Sequence, residues 1–196
     1  ARTPMGGFQG DLAPHTAAQL GAAAIEGALA RTQISPADVA DVYMGCVLPA
    51  GQGQAPARQA AIGGGLPKSV GATTVNKMCG SGMKAVMLAH DQLLAQNGDF
   101  IVAGGMESMT NAPYLLPKAR SGLRMGHGQV IDHMFMDGLE DAYDKGRLMG
   151  TFAENCAEKY QFTRQAQDAY AIESVTRAQN AIKNGHFTSQ IVPVAV

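Results

Sequence analysis

Apolar and polar positions change rhythm several times along the chain, and each rhythm predicts a different element. Over residues 16–30, Leu20, Ile25 and Leu29 recur among alanines, which predicts an Ala-rich helix with a loosely apolar face. Ser35-Pro36-Ala37-Asp38 reads as an N-cap followed by proline at the first helical position. Residues 41–48 are mostly apolar on both alternating sets, with Val42, Met44, Cys46 and Leu48 on one and Tyr43 and Val47 on the other. That is the signature of a strand covered on both faces, and it makes Cys46 a core residue. A second helix over 56–64 is ended by Gly63-Gly64-Gly65 and Pro67.

A strand over 71–75 leads into a long helix over 83–96. On that helix Met83, Val86, Met87, His90, Leu93 and Leu94 fall at helical spacing and read as a core stripe. Asn97-Gly98 stops it, and residues 100–103 form a short buried strand. The alternation of strand and helix predicts a parallel α/β sheet with right-handed crossovers. Residues 110–147 break the rhythm, and a loop this long is usually functional or partly structured. Helical patterns resume over 149–160, and Thr163 caps another helix to about Asn184, with Gly185 as its stop signal. Residues 191–196 read as a strand.

Composition sharpens this picture. The 196 residues suffice for one sizeable core or one domain with an insertion. At 46% hydrophobic and 16% charged the chain is globular, and the low charge suggests that much surface is covered by a partner subunit or by chain not present here. A net charge of −1 gives no broad field for nucleic acid or an anionic membrane, so neither partner is expected. Neither a signal-peptide pattern nor a bilayer-length apolar run occurs. Cys46, Cys79 and Cys156 are widely spaced with no Cys-x-x-Cys, which argues against a zinc site or a redox pair. It also favours a reducing compartment, the cytoplasm or a reducing organelle matrix. The chain begins at Ala1 inside a motif, so it is expected to be a piece of a longer protein.

The chemistry concentrates in Val75-Asn76-Lys77-Met78-Cys79-Gly80-Ser81-Gly82-Met83-Lys84. Cys79 falls where a strand turns into a helix, followed at once by small residues. A helix start leaves backbone N–H groups unpaired and carries partial positive charge, and both favour an attacking sulfur in its anionic form. Gly80 and Gly82 let a substrate or another backbone come close. The competing reading is a buried cysteine acting as a small hydrophobe.

The stretch Val75-Asn76-x-x-Cys79-Gly80-Ser81-Gly82-Met83-x-Ala85-Val86 resembles the acyl-enzyme signature of the thiolases. Three further stretches agree in order: Ala1-Arg2-Thr3-Pro4-x-Gly6-x-Phe8-x-Gly10, Gly53-Gln54-x-Pro56-Ala57-Arg58-Gln59-Ala60, and Val102-Ala103-Gly104-Gly105-Met106-Glu107-Ser108-Met109. The resemblance implies an α/β, thiolase-like layered α/β/α fold. It implies an N-terminal core over 1–109, without its full first strand, and the start of an inserted loop domain over 110–196. It implies an acyl-CoA acyltransferase in which Cys79 carries the acyl group and a second acyl-CoA, such as acetyl-CoA, condenses with it, or free CoA reverses the reaction. CoA thioesters are then substrates, and no metal or redox cofactor is implied. The subunits are expected to form homodimers or homotetramers.

By the same resemblance Leu139 and Met149 line the pantetheine tunnel and the acyl pocket. Leu148, beside them, stands where short-chain biosynthetic members often carry histidine, which leaves a broader 3-oxoacyl specificity open; for all three, ordinary core packing is the plain alternative. Glu107 reads as a structural anchor. Of the histidines, His90 is too far along its helix to pair with Cys79, His15 reads as a surface residue, His186 follows a helix C-terminus, where an imidazolium is favoured, and His127 and His133 sit in the long loop, from which they could approach. The resemblance places the activating histidine and the second cysteine in a later half. Two other readings are a decarboxylating ketosynthase of related fold and a non-catalytic lipid-carrier or interaction domain.

Overall fold

A computed structural model describes all 196 residues. The chain divides into two compact units, residues 1–138 with 192–196, and residues 139–191.

The first unit is built on β1 (Val39–Gly45), the middle strand of a parallel three-stranded sheet in the order β2-β1-β3, with β2 at Gly71–Val75 and β3 at Phe100–Gly105. Tyr43 of β1 pairs with Thr73 on one side and Ala103 on the other. Because side chains alternate along a strand, β1 feeds two cores. Val42 and Met44 pack with Ala17 and Ile25 of α1 (Ala17–Leu29) and with Ala57, Ala60 and Ala61 of α2 (Pro56–Gly63). Tyr43 packs on the opposite face with Ala85 and Ala89 of α3 (Ser81–Leu94). The result is the expected α/β/α layering.

Local signals place most boundaries. Thr16 caps α1, its Oγ1 accepting from the Gln19 N–H at 3.2 Å while the Gln19 side chain accepts from the Thr16 N–H at 2.9 Å. This reciprocal box satisfies two otherwise orphaned groups, so Thr16→Ala is expected to lower stability by about 1 kcal/mol in urea denaturation without moving the sheet. Cys46 lies one residue beyond β1 and is buried, its N–H donating to the Val75 carbonyl.

The stripe on α3 departs from expectation. Met83, Val86, Met87, Leu93 and Leu94 are exposed, as is His90, and the buried line is Ser81, Ala85 and Ala89. The physical reason is distance of approach. Gly82 of α3 packs against Gly104 and Gly105 of β3, and backbones this close admit only small side chains between helix and sheet. The large apolar residues are thereby turned outward.

The long segment after β3 contains an antiparallel hairpin of β4 (Tyr114–Leu115) and β5 (Ile131–Asp132), followed by a π-helical turn at Phe135–Leu139. The hairpin belongs to the first compact unit, whose first stretch runs to Gly138. Residues 191–196 form no strand; Val192 is buried and donates to the Arg2 carbonyl of the N-terminal segment.

The second unit carries α4 (Met149–Lys159) and α5 (Arg164–Lys183), the latter capped by Thr163, whose Oγ1 accepts from the Ala166 N–H. No helix is long and apolar enough to cross a membrane.

Candidate active site

Strand β2 ends at Val75, and the chain reverses through Asn76-Lys77-Met78-Cys79-Gly80 before α3 begins at Ser81. Helix α3 starts two residues earlier than its apolar pattern predicts, which puts Cys79 directly before the N-cap Gly80. The turn is tight enough to force Met78 to φ +50°. A left-handed conformation costs a residue with a side chain about 1 kcal/mol or more, and it persists only where surrounding bonds over-determine it. Those bonds are present. The Gly80 N–H donates to the Lys77 carbonyl and the Ser81 N–H to the Met78 carbonyl. The Asn76 Oδ1 accepts from the Met78 N–H at 3.0 Å.

Three backbone segments meet beneath this turn. Gly45 ends β1, Gly82 lies in the first turn of α3, and Gly105 ends β3. The Met106 N–H donates to the Gly45 carbonyl at 2.9 Å. Together with Val47, Met78, Cys79, Ser81, Met106 and Glu107, these glycines line an open concavity of about 320 Å³. Cys79 is exposed at its edge. Helix α3 has no capping side chain, in contrast to α1 and α5, so its N-terminal N–H groups are not closed off by a side-chain cap. Such donors are what a developing oxyanion requires.

Glu107 plays a structural part. Its Oε2 accepts from the Val47 N–H at 2.9 Å and its Oε1 from the Leu48 N–H at 3.0 Å, which anchors the chain leaving β1. The same carboxylate lies 3.6 Å from Cys46 Sγ. Burial, and next the charge of Glu107, push the Cys46 thiol up to about 12. Cys46 is thus held neutral at physiological pH, as a core residue should be.

This separates the thiols. Iodoacetamide is expected to modify Cys79 and Cys156, both exposed, while Cys46 stays protected until the chain unfolds; peptide mass mapping checks the order. The raised Cys46 value also carries a sign. The unfolded thiol releases its proton near 9 and the folded one near 12, so the folded state holds more protons across that interval. Its stabilising contribution is full below pH 9 and declines as pH rises toward 12, which alkaline unfolding curves of a Cys46→Ala variant should flatten.

None of the five histidines lines the concavity. His133 is buried, with Nδ1 2.6 Å from Asp137 Oδ2 and Nε2 accepting from the Ala50 N–H, a pair that ties the turn after β5 to the chain after β1. His15 Nε2 lies 2.7 Å from the Ala195 carbonyl oxygen. His90, His127 and His186 are exposed. Leu139, Leu148 and Met149 belong to the second unit. Leu139 ends the π-helical turn, Leu148 is the N-cap of α4 and Met149 its first residue, and a bridge between Glu140 and Leu148 brings the two segments side by side. The fixing of the turn by Asn76 and Ser81 was not legible in the sequence, where Ser81 reads only as a small residue near a cysteine.

The family model described as "Thiolase, N-terminal domain" matches residues 1–196. Among curated relatives, an acetyl-CoA acetyltransferase of Schizosaccharomyces pombe is 52% identical over 195 residues, covering 100% of this chain and 49% of the relative. Acetyl-CoA acetyltransferase 2 of Arabidopsis thaliana is 54% identical over 197 residues, 100% of this chain and 48% of the relative. A Gibberella zeae relative named as a cytosolic acetyl-CoA acetyltransferase is 49% identical over 196 residues, again 100% of this chain and 49% of the relative. The chain therefore spans about half the length of the curated relatives it matches.

Proposed function

The chain belongs to the thiolase family through its N-terminal domain, and from that premise we propose that it supplies the acyl-accepting half of an acyl-CoA acyltransferase. The carrying observation is Cys79, exposed at an uncapped helix start beside an open concavity. Its sulfur, as the thiolate, adds to the carbonyl carbon of an acyl-CoA. The bond from that carbon to the CoA sulfur then breaks, and CoA leaves with the proton that Cys79 gave up. One thioester replaces another, so the step is nearly thermoneutral, and the demand falls on holding the tetrahedral oxyanion. The Cys79 N–H and the first turn of α3 are the donors nearest at hand.

The second step joins the acyl group to the carbanion of a second acyl-CoA, giving a 3-oxoacyl-CoA, or free CoA attacks a 3-oxoacyl-CoA in reverse. The thiolase resemblance implies an activating base and a second cysteine in a later half of the protein, and no histidine of this chain lines the concavity. The exposed apolar face of α3 is the surface that half would cover. Acetyl-CoA is the proposed acyl donor, in keeping with the names of the relatives. Leu148, where short-chain members often carry histidine, keeps longer 3-oxoacyl chains in view. Leu139, Leu148 and Met149 are proposed to line the acyl-CoA tunnel. We assign no metal or redox cofactor, a homodimer or homotetramer, and the cytoplasm or a reducing organelle matrix as the compartment. Full-length protein mixed with acetyl-CoA should gain one acetyl group on Cys79 and release CoA, read by intact and peptide mass. Acetylation elsewhere, or none at all, would overturn the proposal.

A further inference from the structure

Ser81 has no part in the chemistry above, yet its side chain is spent entirely on the Cys79 turn. The residue is 4% exposed. It opens α3, where a serine ordinarily faces water or caps the helix. Here the hydroxyl turns back across the nucleophile. Its Oγ accepts from the Lys77 N–H at 2.8 Å and donates to the Met78 carbonyl at 2.5 Å. The Met78 carbonyl also receives the Ser81 N–H at 2.9 Å, so one oxygen is pinned by two donors from the same residue.

That carbonyl and the Cys79 N–H are two ends of one peptide plane. In a trans peptide they point in opposite directions and cannot turn independently. Pinning the Met78 carbonyl toward Ser81 therefore fixes where the Cys79 N–H points. Met78 itself sits at φ +50°, which its side chain opposes. Asn76 restrains the same residue from the strand side, through the Met78 N–H, and its Nδ2 reaches the Val47 carbonyl at 3.4 Å.

We propose that Ser81 is a positioning residue for acylation: its hydroxyl holds the Met78–Cys79 peptide so that the cysteine sulfur and its own N–H address the same carbonyl group. Ser81 touches no reacting atom and acts through the backbone. The inference rests on the acyl-carrier reading of Cys79.

The test compares two reactions of one sulfur in the full-length protein. Acetylation by acetyl-CoA needs both the sulfur and the oxyanion donor, whereas alkylation by iodoacetamide needs only an accessible thiolate. Ser81→Ala is expected to slow acetylation of Cys79 by about 10²-fold, the usual scale for a misplaced reacting group, with KM for acetyl-CoA little changed. Alkylation of Cys79 should stay within about threefold of wild type, because access and charge are untouched. Ser81→Thr, which keeps the hydroxyl, should recover most of the acetylation rate. Acetylation by Ser81→Ala at the wild-type rate would overturn the proposal. So would a parallel fall in both reactions, or an insoluble Ser81→Ala with a Ser81→Thr variant that folds but acetylates no faster than the background, since those results describe a structural residue. If wild type itself is never acetylated at Cys79, the acyl-carrier reading has failed, a result separate from any of these.

Discussion

Cys79→Ser is expected to remove covalent acetylation from the full-length protein and to lower turnover by at least about 10³-fold, while melting at the wild-type temperature. The two side chains have the same shape apart from the larger sulfur, and Cys79 is exposed, so no packing is lost. What changes is the nucleophile. A serine hydroxyl gives up its proton far less readily than a thiol and is a much weaker nucleophile toward a thioester at neutral pH, even with the same base beside it. Intact mass after mixing with acetyl-CoA and a steady-state assay of thiolysis check both halves. A variant that still carries the acetyl group, or that melts many degrees lower, would contradict the role assigned to this sulfur.

The second large effect is expected at Gly45. A Cβ placed there would stand 2.7 Å from the Gly82 nitrogen, the Ser81 carbonyl carbon and the Ser81 Cβ. Two of those atoms are backbone and the third is fixed to it, so no rotamer change relieves the clash. Helix α3 must move away from β1 instead, and with it the turn that carries Cys79. Gly45→Ala should therefore lose about 1–3 kcal/mol of stability through overpacking. Acetylation should fall by about 10²-fold, because a shift near 1 Å at the nucleophile is enough for that. Gly7→Ala is the control, since nothing lies within 4 Å of its added carbon. Denaturant midpoints with acetylation rates of the two variants give the comparison. Wild-type behaviour of Gly45→Ala would mean that the strand and the helix start are not held together as tightly as described.

The two variants probe different layers of one arrangement. Gly45 sets how closely the sheet and α3 approach. Ser81 is proposed to set the orientation of one peptide within that approach, and Cys79 to supply the reacting atom. Glu107 serves the same region from outside the chemistry, by satisfying two N–H groups where the chain leaves β1. A half-buried carboxylate beside a cysteine invites a catalytic reading, yet the sulfur it faces is Cys46, which burial, and next the carboxylate's charge, keep protonated.

Much of this was legible in the residues alone. The order of strands and helices follows from apolar periodicity, and Thr16, Ser35, Pro56 and Thr163 mark helix starts because capping depends only on neighbours within one turn. The position of Cys79 between a strand and a helix is equally local. The outward face of α3 was not legible. Met83, Val86 and Met87 have the spacing of a core stripe, and periodicity says that a helix has an apolar side without saying what it meets.

The sequence by itself therefore determined the succession of elements through β3 and the place of Cys79 between a strand and a helix, since both are set by interactions spanning a few residues. Tertiary structure decided the rest. It chose Ala85 and Ala89 over the methionines as the buried line of α3, because Gly82 lies against Gly104 and Gly105 across a gap too narrow for larger groups. It tied Glu107 to Val47, 60 residues away, and so made an anchor of a carboxylate. It also buried the Ser81 side chain, 4% exposed, where the helix start lies against Gly45 of the sheet.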